Sequence, residues 1–143
     1  MIHMARENAR RAGLSDRLSF EFGNSSRLRF KDDKFEMVLS TGMLHSLKHP
    51  VKVFNEIYRV LKKGGEAWIY DPAKVALYID RNKWEASLSS WDRLFLRLFR
   101  ALGLLRPIKT YNPSQVREML DETEFEVLSI EAQKDEIRIK LRK

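Results

Sequence analysis

The chain has 143 residues and carries 27 Lys+Arg against 20 Asp+Glu, a formal net charge of +7. One domain is the expectation at this length, and 43% hydrophobic with 33% charged residues excludes a generally disordered chain. Cysteine is absent, which excludes disulfides and thiolate metal sites. No apolar run approaches the roughly 20 residues a bilayer-spanning helix needs, and the first residues lack the apolar block of a signal peptide. A cytoplasmic location is the expectation.

Met1, Ala5, Ala9 and Ala12 recur at helical steps and predict a helix over residues 1–12, with Gly13 as its stop. Leu18, Phe20 and Phe22 alternate with Ser19 and Glu21, which predicts a strand. Residues 23–34 are polar and turn-rich. Phe35 to Ser40 is a nearly continuous apolar run, as in a parallel-sheet strand buried on both faces. His49-Pro50 opens a helix with Phe54, Ile57, Tyr58 and Leu61 as its buried stripe, ended by Gly64-Gly65. Glu66 to Asp71 is the next strand. Strand, helix and strand in this order predict a parallel crossover and an α/β fold.

Residues 84–105 form the longest helical pattern. Trp84, Leu88, Trp91, Phe95, Leu98 and Leu102 lie on one stripe, widened by Leu94, Leu96, Phe99 and Leu105. Arg93, Arg97, Arg100, Arg106 and Lys109 fall in a window without an acidic residue. Asn112, Pro113 and Gln115 make a capping box for a shorter helix, with Tyr111 and Val116 placed as a hydrophobic staple and Val116, Met119 and Leu120 facing inward. Residues 125–132 and 135–142 read as two strands joined by a short polar connection, an antiparallel hairpin at a sheet edge.

These elements resemble a known family. Arg59-Val60-Leu61-Lys62-Lys63-Gly64-Gly65 is similar to the RVLKPGG segment of class I S-adenosylmethionine-dependent methyltransferases, with Lys63 in place of proline. Gly23-Asn24, Leu28-Arg29-Phe30 and Phe35-Glu36-Met37-Val38 resemble that family's GD, LPF and FDxV segments, with Asn24, Arg29 and Glu36 replacing Asp, Pro and Asp. Leu44-His45, His49-Pro50 and Glu56 resemble the LHH…P…E stretch of the ubiquinone-biosynthesis-like branch. The resemblance implies a Rossmann-like methyltransferase sheet, mixed, with a C-terminal antiparallel hairpin. The family's glycine-rich turn has no counterpart, since the six glycines stand at 13, 23, 42, 64, 65 and 103. The resemblance therefore implies that residues 1–143 are a single incomplete, N-terminally truncated domain, short of a unit of about 30 residues. An unfilled place in such a sheet favours a homo-oligomer.

The resemblance also implies S-adenosylmethionine as cofactor. Gly23, Asn24 and Ser25 would border the adenine, and Thr41, Gly42 and Leu44 would line the methionine part; the alternatives are a plain turn and a strand-to-helix loop. His45 is the candidate catalytic base and Asp71 a weaker one, against a loop or helix-capping role for the histidine. A metal site is not expected, for want of Cys and of an H-E-x-x-H spacing. The 84–105 helix would either pack as core or dimer surface, or receive a lipid-like substrate or an anionic membrane. The implied function is methyl transfer from S-adenosylmethionine to a small or lipid-like acceptor. The alternative is a non-catalytic scaffold or binding protein derived from the fold. Nucleic acid is disfavoured as a partner, because only charge points to it.

Overall fold

The computed structural model describes residues 2–72, 89–91, 94, 98, 110–133 and 136–143. The first helix, α1, spans Ile2–Arg11. It ends as expected at Gly13, whose φ is +68°. The Gly13 N–H donates to the Arg10 carbonyl at 3.1 Å and the Leu14 N–H to the Ala9 carbonyl at 2.9 Å, the paired bonds of a glycine-stopped helix.

Leu18–Phe22 does not form the expected strand. Alternation gives a segment two faces, but a strand also needs a neighbour to take its N–H and C=O groups. No ladder meets this segment among the described residues. Its Phe20 carbonyl accepts instead from the Arg6 guanidinium at 3.1 Å.

The remaining strands are β1 (Phe35–Thr41), β2 (Leu61–Pro72), β3 (Glu126–Ala132) and β4 (Glu136–Arg142), and they form one sheet in the order β1-β2-β4-β3. Helix α2 (Pro50–Val60) links β1 to β2, which run parallel, and α3 (Pro113–Leu120) precedes β3. β3 and β4 form the predicted antiparallel hairpin, with β3 at the edge. The α/β expectation holds, with a mixed sheet.

Two boundaries move. β2 begins at Leu61, not after the glycine pair, so α2 stops at Val60. Phe35 pairs with Leu61 and Met37 with Glu66, so Lys62–Gly65 bulges out of the β2 ladder. Gly64, with φ +78°, makes that bulge, and its N–H donates to the Lys143 carbonyl at 2.8 Å.

One face of the sheet is covered. Val53, Phe54 and Ile57 of α2 and Val116 and Leu120 of α3 pack over Ala67, Ile69, Ile137, Ile139 and Leu141. Asn112 caps α3 through the expected reciprocal pair: its side chain accepts from the Gln115 N–H at 2.9 Å, and the Gln115 side chain accepts from the Asn112 N–H at 3.1 Å. The other sheet face is amphipathic, with Lys140 Nζ 4.6 Å from the Trp68 ring centroid and Arg142 3.2 Å from Glu66. β1 is therefore not buried on both faces as expected: Met37 is 50% exposed and Leu39 62%.

The 84–105 helix lies mostly outside the described residues. Within it, Ser90, Trp91, Leu94 and Leu98 are helical. Trp91, Leu94 and Leu98 are exposed, so at these positions the stripe is not core. No helix among the described residues is long and apolar enough to cross a membrane.

Candidate active site

The carboxyl ends of β1 and β2 lie side by side, and this end of parallel strands is where open α/β sheets bind ligands. The Gly42 N–H, just past β1, donates to the Tyr70 carbonyl at 2.7 Å, and φ at Gly42 is +60°. That reversal turns the chain into a single 3-10 turn, Leu44–Ser46. His45 thereby lands beside Asp71. The backbone N–H of His45 donates to Asp71 Oδ2 at 2.9 Å, and its ring Nδ1 lies 3.2 Å from Asp71 Oδ1.

The Asp71 side chain is 1% exposed and that of His45 25%. A carboxylate accepting the His45 backbone N–H accepts from the ring as well, which puts the ring proton on Nδ1 and leaves Nε2 with a lone pair. A histidine so arranged can accept a proton from a bound molecule. His49, the other histidine of this stretch, is the N-cap residue of α2, yet its side chain makes no capping bond.

Of the other candidates, Gly23, Ser25 and Thr41 line two clefts, and Asn24 lines a third with Arg27, Leu28 and Arg29. Ser25 and Thr41 meet in one of about 290 Å³, together with Ser40, Leu28, Val38, Met43 and others. Gly23 and Ser25 line a second, of about 220 Å³, with Phe22 and Arg29. Asn24 holds its own turn: its Oδ1 accepts from the Ser26 N–H at 2.9 Å, and its carbonyl from the Arg27 N–H at 2.9 Å. Leu44 is 1% exposed and packs within the core, so its side chain lines neither cleft.

Glu56 and Arg59 belong to the motifs, but their task is legible only in three dimensions. The Arg59 guanidinium donates to the carbonyls of Phe30 at 2.9 Å and Leu28 at 3.1 Å, to Asp32 at 2.6 Å and to Glu56 at 2.9 Å. Glu56 in turn accepts the Leu28 N–H at 2.7 Å. These bonds hold the Glu56 carboxyl below, and the Arg59 guanidinium above, their ordinary values. They fix residues 28–32 to α2, and with them the wall of both clefts. The signal in the sequence was the spacing of a Glu and an Arg three apart on one helix.

A parallel strand–helix–strand unit within a mixed sheet is the architecture of a Rossmann-like fold. The family model described as a methyltransferase domain matches residues 1–136, and the chain belongs to that family. Its fold and relatives place it among the class I S-adenosylmethionine-dependent methyltransferases.

The chain is similar to the ubiquinone/menaquinone biosynthesis C-methyltransferase of Brucella canis, 34% identical over 77 residues, or 54% of this chain and 29% of that protein. It is 28% identical over 99 residues to the demethylmenaquinone methyltransferase of Lactiplantibacillus plantarum, 69% of this chain and 42% of the relative. The matches thus span less than half of either relative. Among solved structures, a SAM-dependent methyltransferase from Aquifex aeolicus shares the fold, with a TM-score of 0.66 at 16% identity, covering 97% of this chain and 61% of that one.

Proposed function

We propose that this domain takes part in methyl transfer from S-adenosylmethionine to a small or lipid-like acceptor, with His45 as the base and Asp71 as its orienting partner. The observation that carries the reading is the His45–Asp71 pair at the carboxyl ends of two parallel strands. The family's cofactor fits the residues present along one wall. Ser25, Ser40 and Thr41 offer hydroxyls among apolar side chains in a single cleft. The turn at Gly23-Asn24-Ser25 would meet the adenine and the Thr41-Gly42 corner the amino-acid end. No glycine-rich turn contributes to this wall, since the sequence has none.

When bound, the cofactor supplies an electrophilic methyl group on a sulfonium. His45 Nε2 would take the proton that the acceptor's carbon or oxygen gives up, and Asp71 would compensate the resulting charge on the ring. Positioning by the cleft walls accounts for much of the rest.

Two observations support a lipid-like acceptor and a peripheral membrane contact. The relatives include quinone-biosynthesis methyltransferases. Trp91, Leu94 and Leu98, spaced to share one side of a helix, are exposed in a sequence window rich in arginine.

The test is calorimetric titration with S-adenosylmethionine and with its demethylated product. Saturable binding at micromolar ligand is expected. The absence of heat at millimolar ligand would refute the reading and leave a non-catalytic scaffold built on the fold.

A further inference from the structure

The three clefts lined by Gly23, Asn24, Ser25 and Thr41 have one lining residue in common, and it is Leu28. Leu28 is therefore the ridge between them. It lies outside any helix or strand, so no ladder or helical turn fixes its backbone. Something else must place it.

One ion pair does so. The Leu28 N–H donates to Glu56 Oε2 at 2.7 Å, and the Leu28 carbonyl accepts from Arg59 Nη2 at 3.1 Å. Glu56 and Arg59 meet bidentately, Nε to Oε1 at 2.9 Å and Nη2 to Oε2 at 3.0 Å. The two protons of Nη1 go to the Phe30 carbonyl at 2.9 Å and to Asp32 at 2.6 Å. All five guanidinium donors are thus engaged, in directions set by one planar group.

We propose that Glu56 and Arg59 are positioning residues of the binding site: by gripping both peptide groups of Leu28 they set where its side chain stands, and so set the affinity for S-adenosylmethionine. The inference rests on the cofactor reading given above. It adds two residues that line none of the three clefts and act through one that lines them all.

The geometry separates this role from plain loop anchoring. The Asp33 and Lys34 N–H groups donate to the Arg59 and Val60 carbonyls at 3.0 and 2.8 Å. Those bonds use the backbone of α2 alone, whichever side chain stands at 59. The grip on Leu28 needs the side chain. A lysine at 59 keeps the charge and can meet Glu56, but one ammonium cannot also reach the carbonyls of Leu28 and Phe30 with the geometry of a planar fork.

Two measurements on the full chain test this, with circular dichroism to verify folding. The first needs no ligand. In Arg59→Lys, amide hydrogen exchange at Leu28 is expected to speed up by about tenfold or more, while Lys34 keeps its wild-type protection. Unchanged exchange at Leu28 overturns the proposal. So does equal acceleration at Leu28 and Lys34, the mark of a helix end that has merely loosened. The second measurement is a double-variant cycle read by calorimetric titration with S-adenosylmethionine. Arg59→Lys and Leu28→Ala are each expected to weaken binding about tenfold. In the Leu28→Ala background, Arg59→Lys is expected to add less than about twofold, because the residue it acts through is gone. Equal losses in both backgrounds, or no loss in one of the single variants, overturn the proposal. A wild-type chain that binds no cofactor refutes the proposed function and the affinity part of this inference together. Exchange at Leu28 then still decides whether the pair positions that residue.

Discussion

His45 and Asp71 are 26 residues apart in the chain and joined twice in the structure. One carboxylate takes both the backbone N–H of His45, at 2.9 Å, and its ring Nδ1, at 3.2 Å. The first bond fixes where the residue sits and the second fixes which ring nitrogen carries the proton. Asp71 is the buried charged residue among those described, and its burial is tolerable because both contacts are made. The proposed base and the local fold thus lean on the same group.

Replacing Asp71 with asparagine separates these tasks. The amide oxygen can still accept the His45 N–H, while the amide nitrogen can only donate toward Nδ1. The ring proton is then expected to move to Nε2. Long-range proton–nitrogen NMR of histidine-labelled protein reads this directly. The proposed methyl transfer should fall about 10²–10⁴-fold, the usual worth of a general base, with cofactor affinity unchanged. An Asp71→Asn spectrum that keeps the wild-type protonation pattern would show that Asp71 does not orient the ring.

The Glu56–Arg59 anchor makes stability depend on acid. Arg59 and the Leu28 N–H hold the Glu56 carboxyl below its ordinary value. Folding therefore favours the charged form. The stabilisation is complete above the unfolded carboxyl's pKa, about 4.3, and is lost as pH falls through the lower folded value. Glu56→Gln should cost roughly 1–2 kcal/mol at neutral pH, read from urea unfolding midpoints. The gap between variant and wild type should close below the folded value. A gap that persists unchanged into strong acid would mean that packing, not charge, ties the loop to α2.

How much of this was legible in the sequence follows from what each feature needs. The capping box at Asn112 and the stop at Gly13 are local, and both are found as read. The β3–β4 hairpin is also local, and its alternation at Ile137, Ile139 and Leu141 matches the buried face. Pairing is not local. Leu18–Phe22 carries a strand's alternation without a neighbour to pair with, and β1 carries a buried strand's composition at an exposed edge. The candidate site divides the same way. His45 could be singled out by residue type, but its contact with Asp71 depends on two strands ending together. Leu44 shows the converse: its motif position was recognisable, while the inward direction of its side chain was not.

The exposed stripe predicts membrane binding. Trp91, Leu94 and Leu98 are exposed, and Arg93, Arg97 and Arg100 stand nearby in the sequence. Sedimentation with anionic vesicles should capture the chain, with salt weakening the interaction. Trp91→Ala/Leu94→Ala should weaken binding at least about tenfold, because each large apolar side chain contributes roughly 1.5–3 kcal/mol when fully buried. Equal capture by neutral and anionic vesicles would refute the electrostatic part. Equal capture of variant and wild type would refute the apolar part.

The glycine pair at the β2 bulge predicts unequal costs for two neighbouring substitutions. A Cβ at Gly65 would stand 2.9 Å from the carbonyl oxygens of Glu36 and Lys62, and 3.2 Å from Leu61 Cδ2. Two of these three contacts are backbone, so relief requires moving the β1–β2 ladder itself. At Gly64 a Cβ would meet nothing within 4 Å, and only its φ of +78° opposes a side chain. Asparagine tolerates that region better than alanine does. Gly65→Ala should therefore destabilise by about 1–3 kcal/mol, in the range of overpacking, whereas Gly64→Asn should cost less than half as much. Paired urea melts decide it. If the Gly64 variant proves the more damaging, backbone conformation rather than crowding controls the bulge.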